Sequence, residues 1–98
     1  MNYAIVPIVA YHNKDLKPND KLLMGLITSL SLKNGYCSAN NDYLATEMNV
    51  SKRTITTSLS NLRKLGFISI QYDKYHRKIY NNVWKSTSRD IEDNFYTP

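Results

Sequence analysis

The stretch DYLATEMNVSKRTITTSLSNLRKLGFI, from Asp42 to Ile68, decides the fold. It reads as two helices joined by a tight turn and continued at once by a strand. At 100° per residue, Ile55, Leu59 and Leu62 fall in one narrow sector with Leu65 at its edge, so the second helix docks on a core. Opposite that sector stand Arg53, Thr57, Ser60 and Lys64, flanked by Thr56 and Asn61. Short hydroxyl and amide side chains can approach base edges, while Lys52 and Arg53 at the helix start can reach a phosphate or a guanine. This distribution is what a helix lying in the major groove of DNA requires.

The turn between the helices carries its own signals. Ser51 is a good N-cap for a helix starting at Lys52, because its hydroxyl can accept one of the orphan amide hydrogens of the first turn. Asn49 stands where such a turn needs a left-handed residue, and asparagine tolerates that backbone better than most. The first helix spans about Asn41 to Met48 and aligns Leu44, Ala45 and Met48 on one face. Val50 then points inward, and the small Ala45 permits a close helix crossing. Gly66, directly after Leu65, is a natural C-cap.

A plain helical hairpin would explain these two segments, but not the extended residues after them. Ile68, Ile70 and Tyr72 alternate with Ser69 and Gln71, and a second extended run covers Arg77 to Tyr80. The expected fold class is therefore α+β, a winged helix-turn-helix with a three-helix core and a β-hairpin wing. Its wing tip is Asp73-Lys74-Tyr75-His76, continued by Arg77 and Lys78. Lys74, Tyr75, His76, Arg77 and Lys78 become candidate contacts to a phosphate backbone or minor groove. Neither Gly nor Pro occurs in this loop, so its length is not fixed by turn chemistry.

Charge is distributed on the same map. The chain of 98 residues has a formal charge of +5. Residues 51–85 hold Lys52, Arg53, Arg63, Lys64, Lys74, Arg77, Lys78 and Lys85 against Asp73 alone, a local +7. Residues 1–50 balance to zero, and residues 86–98 come to −2. A basic run alone can be no more than a solvated surface; coincidence with the reading helix and wing points to double-stranded DNA as partner.

Upstream, Leu22, Leu23, Leu26, Ile27 and Leu30 form a helical stripe between Pro18 and about Leu32. Asn19 and Asp20 stand in its first turn, where an acidic group suits the helix dipole. Gly25 inside this helix costs about 1 kcal/mol relative to alanine, which close packing must offset. Asn34-Gly35 ends it, and Tyr36-Cys37-Ser38 reads as a short strand. The element order is then helix, short strand, helix, helix, strand, strand. Residues 1–85 form one domain, in which 1–14 is an N-terminal arm or strand with Ile5, Val6, Ile8 and Val9 turned to the core; 86–98 is a short acidic tail.

Several function classes drop out. Cys37 is the single cysteine, so it forms no internal disulfide and reads as a buried thiol, suited to the cytoplasm. His12 and His76 lack partners at ligand spacing, and no metal or other cofactor is expected. There is no Gly-rich phosphate loop, nucleophile elbow or carboxylate pair, so the chain does not read as an enzyme. No segment has the roughly 20 apolar residues of a membrane span, and the apolar start around Pro7 lacks the basic leader of a signal peptide. Eleven Asn and eight Tyr point to an AT-rich coding sequence, as in low-GC bacteria and their mobile elements.

Across about residues 3–83 the chain resembles the N-terminal winged-helix domain of phage and plasmid replication initiators and replisome organisers. The likeness runs from Tyr3-Ala4-Ile5-Val6-Pro7 through Leu16-Lys17-Pro18-Asn19-Asp20-Lys21-Leu22-Leu23 and Asn34-Gly35-Tyr36-Cys37. It continues over Val50-Ser51-Lys52-Arg53-Thr54-Ile55 to Leu62-Arg63-Lys64-Leu65-Gly66-Phe67-Ile68. It implies origin recognition, with Ser51, Lys52, Arg53, Thr54, Thr56 and Thr57 facing DNA. Such proteins continue into a C-terminal region that assembles protomers or recruits a helicase loader. A homodimer or replication-protein contact would thus use regions outside this chain. A transcriptional regulator of the same fold is the first alternative. A protein-interaction or inhibitor module that has lost DNA binding is the second, motivated by the acidic Asp90-Ile91-Glu92-Asp93 and the tyrosines.

Overall fold

The computed structural model describes residues 8–83. Four helices, α1 (Ile8–Tyr11), α2 (Pro18–Leu30), α3 (Asn41–Met48) and α4 (Lys52–Lys64), precede strands β1 (Ile68–Tyr72) and β2 (Arg77–Asn81). Helices α2, α3 and α4 with the antiparallel hairpin behind them give the expected α+β winged helix-turn-helix arrangement.

The centre of the domain is α2. Every residue from Leu23 to Thr28, Gly25 included, is buried, because α2 packs on α1, α3, α4 and β2 at once. A helix covered on nearly all sides needs no single apolar stripe, and the expected one is corrected in detail. Leu22 is 52% exposed, since at 100° per residue it lies opposite Asp20, and Met24 takes its place in the core. The helix also stops at Leu30 rather than Leu32. There the Ser31 hydroxyl donates to the Ile27 carbonyl at 2.6 Å, which competes with continuation of the helix.

The N-terminal segment differs from the arm or strand expected. Its described part, Ile8–Tyr11, is one helical turn against α2, with Ala10 fully buried. A short apolar run without alternation does not distinguish helix from strand. Of the residues placed in the core by sequence, Ile5 and Val6 lie outside the described residues, as do the side chains of Ile8 and Val9 and the tail 86–98.

The helix-turn-helix forms as its sequence dictates. Asn40 caps α3, its side-chain oxygen accepting the Tyr43 amide at 2.8 Å. Asn49 ends α3 at φ 56°, ψ 46°, the left-handed turn that sends the chain into α4. Leu44 and Ala45 are buried against α4, and Val50 donates its amide to the Ala45 carbonyl at 3.0 Å. On α4, Ile55, Leu59 and Leu62 are buried while Leu65 remains 40% exposed.

Gly66 at φ 84° closes α4. The amides of Gly66 and Phe67 return to the carbonyls of Arg63 and Leu62 at 3.0 and 2.9 Å, the double bond pattern of a left-handed glycine cap. Phe67 and Ile68 thereby enter the core and start the hairpin, in which Ile70 faces Ile79 and Tyr72 faces Arg77. Cys37 adds one bridge to the outer edge of β2, exchanging bonds with Ile79 at 2.8 and 2.9 Å. The strand expected at Tyr36-Cys37-Ser38 is thus a single-residue bridge. Between α2 and β2, buried Asn81 donates to the Thr28 hydroxyl at 2.6 Å, and that hydroxyl donates to the Met24 carbonyl. This chain of bonds satisfies polar groups that burial would otherwise penalise by a few kcal/mol.

Candidate nucleic-acid interface

The surface of α4 divides into a crest and two flanks. Arg53, Thr57, Ser60 and Lys64 lie along one line of the helix and are all exposed. Among the described residues they make no side-chain hydrogen bond or ion pair. Nothing in the described fold covers this crest.

The flank toward α2 is occupied differently. Asn61, half-buried, donates its amide to Asp20 Oδ2 at 3.2 Å, and the same oxygen accepts the Lys17 amide at 3.1 Å. Asp20 is only 2% exposed. Its acidic place in the first turn of α2 therefore carries two duties: it caps α2 and fixes the angle of α4. Asn61, a candidate DNA contact, braces the fold through its amide group.

Ser51, Thr54 and Thr56 are likewise employed. The Ser51 hydroxyl accepts the Thr54 amide at 3.1 Å and shares a 3.0 Å bond with the Thr54 hydroxyl. Thr56 donates to the Lys52 carbonyl at 3.1 Å and lies 3.5 Å from the Asn41 amide. Lys52 pairs with Asp42 at 3.1 Å across the α3–α4 turn, with both side chains largely in solvent.

On the other flank, Thr56, Ser60 and Arg63 look across an open cleft at Ile70, Tyr72 and Arg77 of the hairpin. Arg63 and Tyr72 are absent from the sequence-derived site. The spacing Thr56, Ser60, Arg63 would have marked the first, being one helical face. Tyr72 fits the strand alternation and carries no further signal in the sequence, yet it is 72% exposed.

The wing turn is held by Asp73, whose Oδ1 accepts the amides of Tyr75 and His76 at 3.1 and 2.8 Å. The Asp73 amide also donates to the His76 carbonyl at 2.9 Å. An aspartate bonding two residues onward replaces the glycine or proline missing from the loop. The bonds from Tyr75 and His76, in that order, hold the Asp73 carboxyl below the usual carboxylate range. Lys74, Tyr75 and His76 are exposed at the tip, with Lys74 Nζ 5.4 Å from the Tyr75 ring centre.

Arg77 and Lys78 stand apart from the other wing candidates. The Arg77 guanidinium donates to the Ala39 carbonyl at 2.8 Å and is partly buried. Lys78 alternates to the opposite face of β2, where its ammonium sits 4.9 Å from the Tyr36 ring centre. Both brace the hairpin against the segment before α3. Burial drives the Cys37 thiol above its ordinary value, against smaller opposing effects from the Ala39 amide and Arg77. It is the inert buried thiol its isolation predicted.

A family model for a helix-turn-helix domain matches residues 14–68, more than half of the chain. The chain belongs to this helix-turn-helix family. The match spans α2, α3 and α4 and ends on the first residue of β1, so the wing extends beyond it. No curated protein matches the chain. For a helix-turn-helix domain the relevant activity is DNA binding, which an uncovered crest on the second helix suits. Among the described residues no cluster of His, Cys, Asp or Glu could hold a metal, and no helix is long and apolar enough to cross a membrane.

Proposed function

We propose that this helix-turn-helix domain binds double-stranded DNA in a sequence-specific manner. In this reading α4 lies in the major groove and the wing tip rests on the neighbouring backbone or minor groove. The observation that carries it is the exposed crest of Arg53, Thr57, Ser60 and Lys64, free of any duty in the described fold. Arg53 and the hydroxyls are the base-reading candidates; Lys64, Lys74 and His76 are positioned for phosphates. Lys52, Ser51, Thr54 and Thr56 contribute at the start of α4, where they also hold the turn. Asn61, Arg77 and Lys78 support the reader rather than read. Tyr75 is the aromatic element of the wing contact.

The biological target we propose is an origin of replication carried by a phage or plasmid. This rests on the resemblance over residues 3–83, whose most specific segments are Pro18-Asn19-Asp20-Lys21-Leu22-Leu23 and Val50-Ser51-Lys52-Arg53-Thr54. In that role residues 1–85 are the binding domain, acting in a bacterial cytoplasm without catalysis. Assembly as a homodimer or on replication proteins would use regions beyond it. Selection of bound fragments from random DNA, with mapping of the winning sequence, tests both levels. Enrichment of one motif found in an origin supports the whole proposal, and a motif found at promoters reassigns the domain to transcription. No enrichment, with no retention on heparin or random duplex at low salt, leaves a protein-interaction module and overturns the DNA reading.

A further inference from the structure

The two most exposed large apolar side chains of the described residues are Tyr72 at 72% and Tyr75 at 77%, both on the wing. Isolated exposed rings are ordinary on protein surfaces, but these two line neighbouring clefts. Tyr72 borders the cleft of about 310 Å³ between α4 and the hairpin. Tyr75 borders a second cleft, of about 460 Å³, between the wing tip and the start of α3. Asn41 and Arg77 line both, so the clefts are neighbours on either side of these two residues. Each volume lies toward the lower end of the range for sites that enclose a small organic ligand, room for a nucleotide rather than for a paired helix.

The backbone that carries the rings is held in place. Tyr72 stands opposite Arg77 in the hairpin register, and Arg77 is fastened to the Ala39 carbonyl. Tyr75 sits in the turn that Asp73 organises through two amide bonds. The one acid on the wing is thus engaged by backbone donors. Arg63, which lines the first cleft, and Lys74, whose Nζ lies 5.4 Å from the Tyr75 ring centre, are exposed cations. A cationic groove with exposed aromatic rings is the arrangement that captures unpaired bases, since every base offers a stacking face once it leaves the duplex.

We infer that the α4 side of the wing and its tip form a binding site for single-stranded DNA. Tyr72 and Tyr75 stack on unpaired bases, and Arg63 and Lys74 meet the phosphates of that strand. The inference extends the duplex-binding reading, adding a place for a strand that leaves the helix beside the recognised site. A backbone already organised around the two rings has less freedom to lose on binding, which favours it.

The test uses the full chain and three labelled DNAs: the selected site as a blunt duplex, the same duplex with a short oligothymidine tail, and oligothymidine alone. Fluorescence anisotropy is expected to show tighter binding to the tailed duplex than to the blunt one. Tyr72→Ala and Tyr75→Ala each reduce the gain from the tail, and the binding of oligothymidine, by roughly tenfold. Tyr72→Ala, at a residue with no part in the duplex contact, leaves blunt-duplex affinity within about twofold, and thermal melting verifies that the variants fold. Tyr72→Phe and Tyr75→Phe, which keep the stacking face, retain the gain. The inference is overturned if the tail adds nothing to wild-type binding, if the alanine variants keep the gain, or if they lose affinity equally on blunt and tailed DNA. Failure to bind the blunt duplex at all defeats the duplex reading separately, while oligothymidine still reports on the rings.

Discussion

Removing a charge from the proposed DNA side of this domain should strengthen its binding when the charge is Asp42. Its carboxylate lies 3.1 Å from Lys52 Nζ, with side-chain exposures of 72% and 66%. A pair so open to solvent contributes about 0.2–1 kcal/mol to stability, so Asp42→Asn should change folding by no more than that. The effect on binding is larger because Lys52 then has a phosphate to meet instead of a carboxylate. Each phosphate newly neutralised adds about −0.9 to the slope of log K against log salt, equivalent to roughly eightfold tighter binding at about 0.1 M salt. Anisotropy titrations on one duplex across a salt series measure both quantities. The Asp42→Asn protein is expected to show a steeper slope and higher affinity on specific and random duplexes alike. An unchanged slope, or weaker binding, would show that the start of α4 does not approach a phosphate and would refute the proposed docking.

Other outcomes rest on the same geometry. Arg53→Ala should cost roughly 1–3 kcal/mol on the selected site and relax preference at one base pair; uniform weakening across a panel of mutated sites would reassign Arg53 to the backbone. Asp20→Ala removes the acceptor of two bonds, one from a cap amide and one from Asn61, and should lower stability by about 2–4 kcal/mol in denaturant melts. A loss below about 0.5 kcal/mol would mean that α4 does not depend on this anchor. Asp73 has a depressed folded-state pKa, so its contribution to the wing is present above the usual carboxylate value and disappears as pH falls through the lower, folded one. Protection of the Tyr75 and His76 amides, measured relative to intrinsic exchange at each pH, should fall in that acidic window and hold steady between about pH 5 and 8, and a transition near neutrality would contradict the turn described.

The parts of the fold legible in sequence are those governed by neighbours along the chain. Ser51 three residues before the Thr54 amide, Asn49 in a left-handed turn and Gly66 behind Leu65 each act within a few residues, and all three emerged as expected. The angular sector of Ile55, Leu59 and Leu62 was equally local. What remained hidden depends on partners far apart in sequence. Asn61 finds Asp20 across 41 residues, and Arg77 finds Ala39 across 38. A polar residue on an exposed-looking helix flank gives no sign of such a partner, so the bracing bonds of Asn61 and Arg77 are invisible in the sequence. The N-terminal turn at Ile8–Tyr11 was obscure for another reason: so short a segment is too brief for either periodicity to show.

The separation of labour on α4 bears on how such a domain acquires new targets. Structural chores fall on the shoulders of the helix, where Asn61 grips Asp20 and Ser51 ties the first turn, whereas the ridge positions are idle in the fold. Side chains at 53, 57, 60 and 64 can therefore be exchanged like type in a printer's frame, altering the message while the frame stays locked. A randomised library at those positions should consist largely of folded members, each free to acquire its own vocabulary.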